Sequence, residues 1–142
     1  MDHQQLFAIS AAGMGVQRRR VEVAALNLSQ ADIAQAPGRH TYQPLKVVLR
    51  AVAGSNFGDA FQHAAQALPA AQVEVAGLPP KRAHEPGHPA ADAEGFVSYA
   101  NVDTVAERLD MLRATRAYEA NLAAFSMSRT LVLKTLDLGG RG

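Results

Sequence analysis

The chain has 142 residues, room for one small domain or for a small domain carrying helical arms. Its 14 Lys and Arg stand against 13 Asp and Glu, so no global field draws it onto nucleic acid or an anionic membrane. With no Cys, disulfides and thiol chemistry are excluded, and with aromatics at 6% and no Trp a dense core is hard to build, so burial is expected to depend on neighbours.

The first expected element is a helix over about Asp2 to Ala36, because Leu6, Ile9, Gly13, Val16, Arg20, Val23 and Asn27 fall at alternating spacings of three and four. A second row, Phe7, Met14, Val21 and Leu28, repeats every seven residues on roughly the opposite side. A helix apolar on two sides wants two neighbours. Asp2 stands where a secretory signal carries positive charge, and the apolar residues behind it are spaced, so a chain without a cleaved signal is expected. No apolar run reaches membrane-spanning length. Gly13 and Gly15 lower helix propensity by about 1 kcal/mol each relative to Ala, which marks a flexible or closely packed stretch. Pro37-Gly38 then stops the helix.

The middle of the chain is expected to be a small β-rich insert. Pro44 to Val52 and Gln72 to Val75 are its strand candidates, and the Ala-rich Ala51 to Ala71 could be a loop followed by a short helix. Leu78 to Gly95, with Pro79, Pro80, Pro86 and Pro89, is expected to be extended loop.

From Asn101 to Asp137 there is neither Gly nor Pro, Asn101 or Asp103 can cap the start, and Gly139-Gly140 follows the end. A helix of about 36 residues spans roughly 54 Å, more than the ~37 Å diameter of a compact globule of this length. The excess cannot be a polar spike, because Leu131, Val132 and Leu133 are consecutive and Leu136 and Leu138 follow. One row, Met111, Tyr118, Leu122, Phe125, Val132 and Leu136, has heptad-type spacing, and Val102, Val105, Leu109 and Leu112 make a parallel one. The physical reading is helix-on-helix assembly. Candidate interface residues are Ile9, Val16, Val23 and Asn27 at the front, and Val105, Leu109, Leu112, Tyr118, Leu122, Phe125, Val132 and Leu136 at the back.

His84 and His88, with Glu85 and Asp92, could offer metal ligands, but Pro86 and Pro89 forbid the helix that would bring the two imidazoles to one face. Gly13-Met14-Gly15 lacks the strand, third glycine and Lys-Ser or Lys-Thr of a phosphate loop, and no G-x-S-x-G elbow occurs. Glu107 and Asp110 lie among arginines, where solvated ion pairing is the better account. Arg18-Arg19-Arg20 is the densest positive cluster, suited to acidic residues of a partner subunit or to plain solvation. No catalytic, cofactor or metal site is expected, and the protein is read as non-enzymatic.

His88-Pro89 through Asp92, then Gly95-Phe96-Val97-x-Tyr99-x-Asn101-Val102-Asp103, resembles the approach to the C-terminal helix of flagellar basal-body rod proteins, especially the proximal-rod FlgC kind. The likeness continues through Glu107, Met111, Ala114, Arg116, Tyr118, Ala120 and Asn121 to Lys134-Thr135-Leu136 and Leu138-Gly139. Ser10-Ala11-Ala12-Gly13-Met14 and Val23 to Leu28 are similar to the family's N-terminal helix, with Asn27 at its motif asparagine and Gln30 where a second asparagine usually stands.

The resemblance implies a mainly α fold in which long N- and C-terminal helices, residues 2–36 and 101–138, pair as a coiled-coil-like arm around a β-rich and loop insert, residues 37–100. It adds Asn121 to the candidate interface. It also implies a structural subunit of the bacterial flagellum basal body that transmits torque, with copies of itself and other rod proteins as partners, no cofactor, no nucleic acid and no membrane insertion. Export through the flagellar type III apparatus would place it in the periplasmic rod without a cleaved signal. The expectation for the free chain is that both terminal segments are loosely ordered until assembly. A cytosolic helical adaptor or export chaperone binding amphipathic segments would explain the apolar rows equally well, but not the Gly95 to Asp103 likeness.

Overall fold

The computed structural model describes residues 3–35, 42–50 and 70–139. Within them the order is helix α1 (His3–Gln30), strands β1 (Leu45–Arg50), β2 (Ala70–Val75), β3 (Lys81–His84) and β4 (Phe96–Tyr99), and helix α2 (Thr104–Gly139). β1 and β2 form one two-stranded sheet, and β3 and β4 form a second. Helices at either end of a small strand-bearing insert therefore match the coarse expectation. None of the described helices is long and apolar enough to cross a membrane.

α1 ends six residues before the expected Ala36, and the backbone shows why. The Ala31 N–H reaches Leu28 O and the Ile33 N–H reaches Gln30 O, both at 3.3 Å, so the last turns tighten to a three-residue spacing. Gln35 then leaves the helical path altogether, because its N–H donates to Ser98 O at 2.9 Å in an isolated antiparallel bridge. Pro37-Gly38 lies outside the described residues, as does most of the Ala51 to Ala71 stretch.

The strands expected at Pro44 to Val52 and Gln72 to Val75 are present as β1 and β2, with β2 beginning two residues earlier. The loop expected from Leu78 to Gly95 is corrected, since it contains β3. Pro79 and Pro80 precede that strand and Pro86 and Pro89 follow it, so none removes a donor from the ladder. β3 pairs antiparallel with β4, Lys81 opposite Tyr99 and His84 opposite Phe96.

Asp92 organises the connection between them. Its Oδ1 accepts from the Phe96 N–H at 2.8 Å and the Glu94 N–H at 3.0 Å, and its Oδ2 pairs with Arg82, whose guanidinium lies 4.7 Å from the centre of the Phe96 ring. The Phe96 N–H above all, with help from Arg82 and the Glu94 N–H and against some desolvation, holds the Asp92 carboxyl below the usual range. Gly95 has φ +81°, and a Cβ there would stand 3.1 Å from Pro86 Cβ, so only glycine closes this turn without strain. The residues weighed as metal ligands are thus used structurally: Asp92 as described, and His88 through Nδ1, which accepts the Ala90 N–H at 3.0 Å.

α2 starts at Thr104, three residues after the expected Asn101. Of the two candidate caps, Asp103 does the work: its Oδ1 accepts from the N–H groups of Val105 and Ala106, both at 3.0 Å, while its carbonyl accepts the Glu107 N–H at 2.9 Å. Serine and threonine hydroxyls along the helix, including Ser126, Ser128 and Thr130, donate back to the carbonyl four residues earlier, which lets polar residues sit mid-helix without unpaired groups.

The described residues fall into two compact units, one drawn from Arg20–Val48 and Val73–Leu112, the other from Met1–Arg19, Leu49–Gln72 and Arg113–Gly142. The first unit buries Val23, Ala24, Ala31, Val97 and Ala100 together with the polar Asn27. The second buries Val16 and Ala114, sets the Phe7 and Phe125 rings 5.1 Å apart, and packs Asn121 on Gly13. All these buried apolar residues are Val or Ala, small side chains that let backbones approach closely but contribute modestly per residue.

Candidate assembly site

Asn27 is fully buried, and all four of its hydrogen-bonding positions are used. Its Nδ2 donates to Leu45 O and to Glu107 Oε1, both at 2.8 Å, and its Oδ1 accepts from the Leu45 N–H and the Tyr42 hydroxyl, both at 2.9 Å. The side-chain amide thus takes both backbone groups of Leu45, as a neighbouring strand would, and ties α1 to the start of β1 and to the first turn of α2. A buried amide so completely satisfied fixes geometry, because any shift leaves a buried donor or acceptor unpaired.

Glu107 faces this node. Burial pushes its carboxyl above the usual range, the bond from Asn27 opposes that rise, and repulsion from Asp110 and then Asp103 adds to it. Burial, and secondarily the Glu107 charge, likewise push the Tyr42 phenol up. Sequence reading assigned Glu107 to solvated pairing and overlooked Tyr42; a carboxylate four residues after a capping aspartate carries no local mark of the amide it meets 80 positions away.

In the second unit, an added Cβ at Gly13 would stand 3.1 Å from Asn121 Nδ2, so of the two readings for this glycine close packing holds; at Gly15 nothing lies within 4 Å. Asn121, Phe125 and Val132 are half-buried on α2. Asn121 and Phe125 are the residues that meet Gly13 and Phe7, so as α1 advances the matching position on α2 recedes.

Beside the half-buried Asn121, Phe125 and Val132, the expected interface residues separate into two groups. Val16, Val23 and Asn27 are covered within the chain. Ile9, Val105, Leu109, Leu112, Tyr118 and Leu122 are exposed, Val105 at 73%, and Met127, Leu131 and Leu133 extend the exposed set along α2. The Leu136 side chain lies outside what the structure describes. At ~100° per residue, Val105, Leu109 and Leu112 stand on the side of α2 opposite Glu107 and Ala114, so an exposed apolar row runs along that side with Arg116 next in line.

Among the described residues no three potential metal ligands are grouped together. The arrangement is a scaffold: a tightly specified polar node, small-residue packing, and a helix presenting apolar side chains outward.

Comparison with known proteins agrees with that description. Residues 93–138 match the family described as flagellar basal body rod FlgEFG protein C-terminal. The flagellar basal-body rod protein FlgC of Salmonella typhimurium is 34% identical over 134 residues, covering 94% of this chain and 96% of that protein. FlgC of Aquifex aeolicus is 34% identical over 137 residues, covering 96% and 97%, and FlgC of Bacillus subtilis is 27% identical over 141 residues, covering 92% and 94%. Identity at this level along nearly the whole of both chains settles the family. The chain belongs to the FlgC family of flagellar basal-body rod proteins.

Proposed function

We propose that the chain is a structural, non-enzymatic subunit of the flagellar basal-body rod, held in place by neighbours that cover the outer face of α2. The observation that carries this is the row Val105, Leu109 and Leu112, each at least 44% exposed. Three large apolar side chains on one helix face are costly in water, at about 25 cal/mol per Å² of apolar surface, and copies of this chain or other rod proteins would remove that cost.

Coiled-coil-like pairing of residues 2–36 with 101–138, around an insert at 37–100, is part of the same proposal. Fourteen residues separate Gly13 from Asn27 on α1, and fourteen separate Asn121 from Glu107 on α2, two heptads in each helix. Placement in the proximal, periplasmic part of the rod, delivery through the flagellar type III export apparatus and transmission of torque complete the reading. An adaptor role in the cytosol has no feature in its favour beyond the apolar rows themselves.

A strain lacking the gene tests the proposal. It should be non-motile and yield basal bodies without a rod, and complementation should return the chain to purified basal bodies. A fully motile deletion strain, or a complementing chain found wholly in the soluble fraction, would reject it.

A further inference from the structure

We propose that the apolar pair at the end of α1, Leu26 and Ile33, packs on the outer row of α2, Val105, Leu109 and Leu112, in a second copy of this chain, with Asp32 of one copy paired to Arg108 of the other. The inference rests on the rod-subunit reading and names the partner, and the face of it, that covers this end of α2.

All these residues belong to one compact unit, Arg20–Val48 with Val73–Leu112. Leu26 and Ile33 are 51% and 48% exposed, and Val105, Leu109 and Leu112 are each at least 44% exposed, so neither set covers the other inside the chain. Seven residues separate Leu26 from Ile33 and seven separate Val105 from Leu112, which makes both rows about 10 Å long.

Charge marks the same pairing. From Val21 to Ala36 the chain holds Glu22 and Asp32 and neither Lys nor Arg. Glu22 is already engaged within the chain, which leaves Asp32, exposed beside Ile33, as the negative group on offer. Glu85 and Lys81 border the same cleft as Asp32, so the surroundings there keep a net negative charge. On α2, at ~100° per residue, the exposed Arg108 lies about 60° round from Val105, whereas Glu107 and Asp110 lie about 160° and 140° away. The outer row is thus bordered by a cation and stands clear of carboxylates. Among the described residues neither Asp32 nor Arg108 forms an ion pair. An arginine can lay its apolar stem along neighbouring aliphatic side chains while its N–H donors reach a carboxylate, so one contact satisfies both the charge and the exposed rows.

The two faces differ. A copy that offers one and accepts the other adds a further copy at each end, as a helical polymer requires, and does not close into a pair.

Complementation between copies tests this. In the deletion strain, Asp32→Arg alone and Arg108→Asp alone should each cut swimming about tenfold, because each sets like charges face to face. Expressed together as two separate chains they should restore about half of the unaltered rate or more, since alternating copies then meet with opposite charges at every contact. An ion pair inside one copy is not repaired that way, because every copy still carries its own repulsion. No recovery on co-expression overturns the contact.

Cross-linking reads the apolar part, since the chain has no Cys of its own. A copy with Leu26→Cys and a differently tagged copy with Leu109→Cys, co-expressed, should give a mixed dimer when purified basal bodies are treated with a short bis-maleimide. Basal bodies that contain both copies without that product, or that link either copy only to a different protein, overturn the contact and leave the rod reading standing. Absence of the unaltered chain from basal bodies overturns both.

Discussion

Two regions of the chain handle exposure in opposite ways. Around Asn27 a buried polar side chain finds a partner for every donor and acceptor within the same molecule. Along α2, from Val105 to Leu133, large apolar side chains stand in solvent. The first region specifies its own geometry; the second, on the function proposed above, is where a neighbour would add cover. The difference divides the terminal segments: Val23, Ala24 and Asn27 draw their burial from inside the chain, whereas Val105, Leu109 and Leu112 on α2 remain exposed.

The largest expected effect breaks the second region and spares the first. Leu109→Asp puts a charge on an exposed position, so urea unfolding of the purified subunit should shift by no more than about 0.5 kcal/mol. Motility should nevertheless be lost, because in the assembled rod that charge would be buried without a partner. Swimming at the unaltered rate would remove Leu109 from the interface. Next comes Asn27→Leu, which breaks the first region. It keeps the branched shape, with bulkier methyl groups, but strips partners from both backbone groups of Leu45, from Tyr42 and from Glu107; at ~1–3 kcal/mol for a buried polar group left unsatisfied, the subunit should lose about 3 kcal/mol or more in the same titration.

The same contrast explains what could be read from the sequence. Spacing of apolar residues placed both helices and the first two strands, because side-chain periodicity is a local property. Val105, Leu109 and Leu112 were legible as an apolar row for the same reason. The early end of α1 was not, since it depends on Gln35 bonding Ser98, a residue 63 positions later. β3 was hidden by its flanking prolines, which proved to be punctuation around a short strand. Asn27 was picked as an interface residue from its place in a row and in a family motif. Its burial among Leu45, Tyr42 and Glu107 joins segments up to 80 residues apart, and no window along the chain contains that information.

A smaller effect sharpens the first region at its edge. Asp103→Ala removes the acceptor for the Val105 and Ala106 N–H groups and should cost about 1 kcal/mol, read as a lower urea midpoint with little change in slope. Motility should survive if the helix still forms in the rod.

The smallest effect concerns the sign of a pH dependence. Glu107 has a carboxyl raised above its ordinary value of 4.5, chiefly by burial. A group with a raised folded-state pKa binds its proton more readily in the native chain than in the unfolded one. Its stabilising contribution is therefore fully present below pH 4.5 and is lost as pH rises through the raised value. Glu107→Gln keeps an oxygen to accept from Asn27 Nδ2 but has no charge to desolvate or to be repelled by Asp110 and Asp103. The variant should thus be the more stable of the two at neutral pH, and its advantage should shrink on acidification as the parent takes up its proton. Urea titrations of both proteins between pH 4 and pH 8 measure this directly. A variant that is weaker at neutral pH would show instead that the charge-assisted bond to Asn27 outweighs burial, and that the node depends on the carboxylate being ionised.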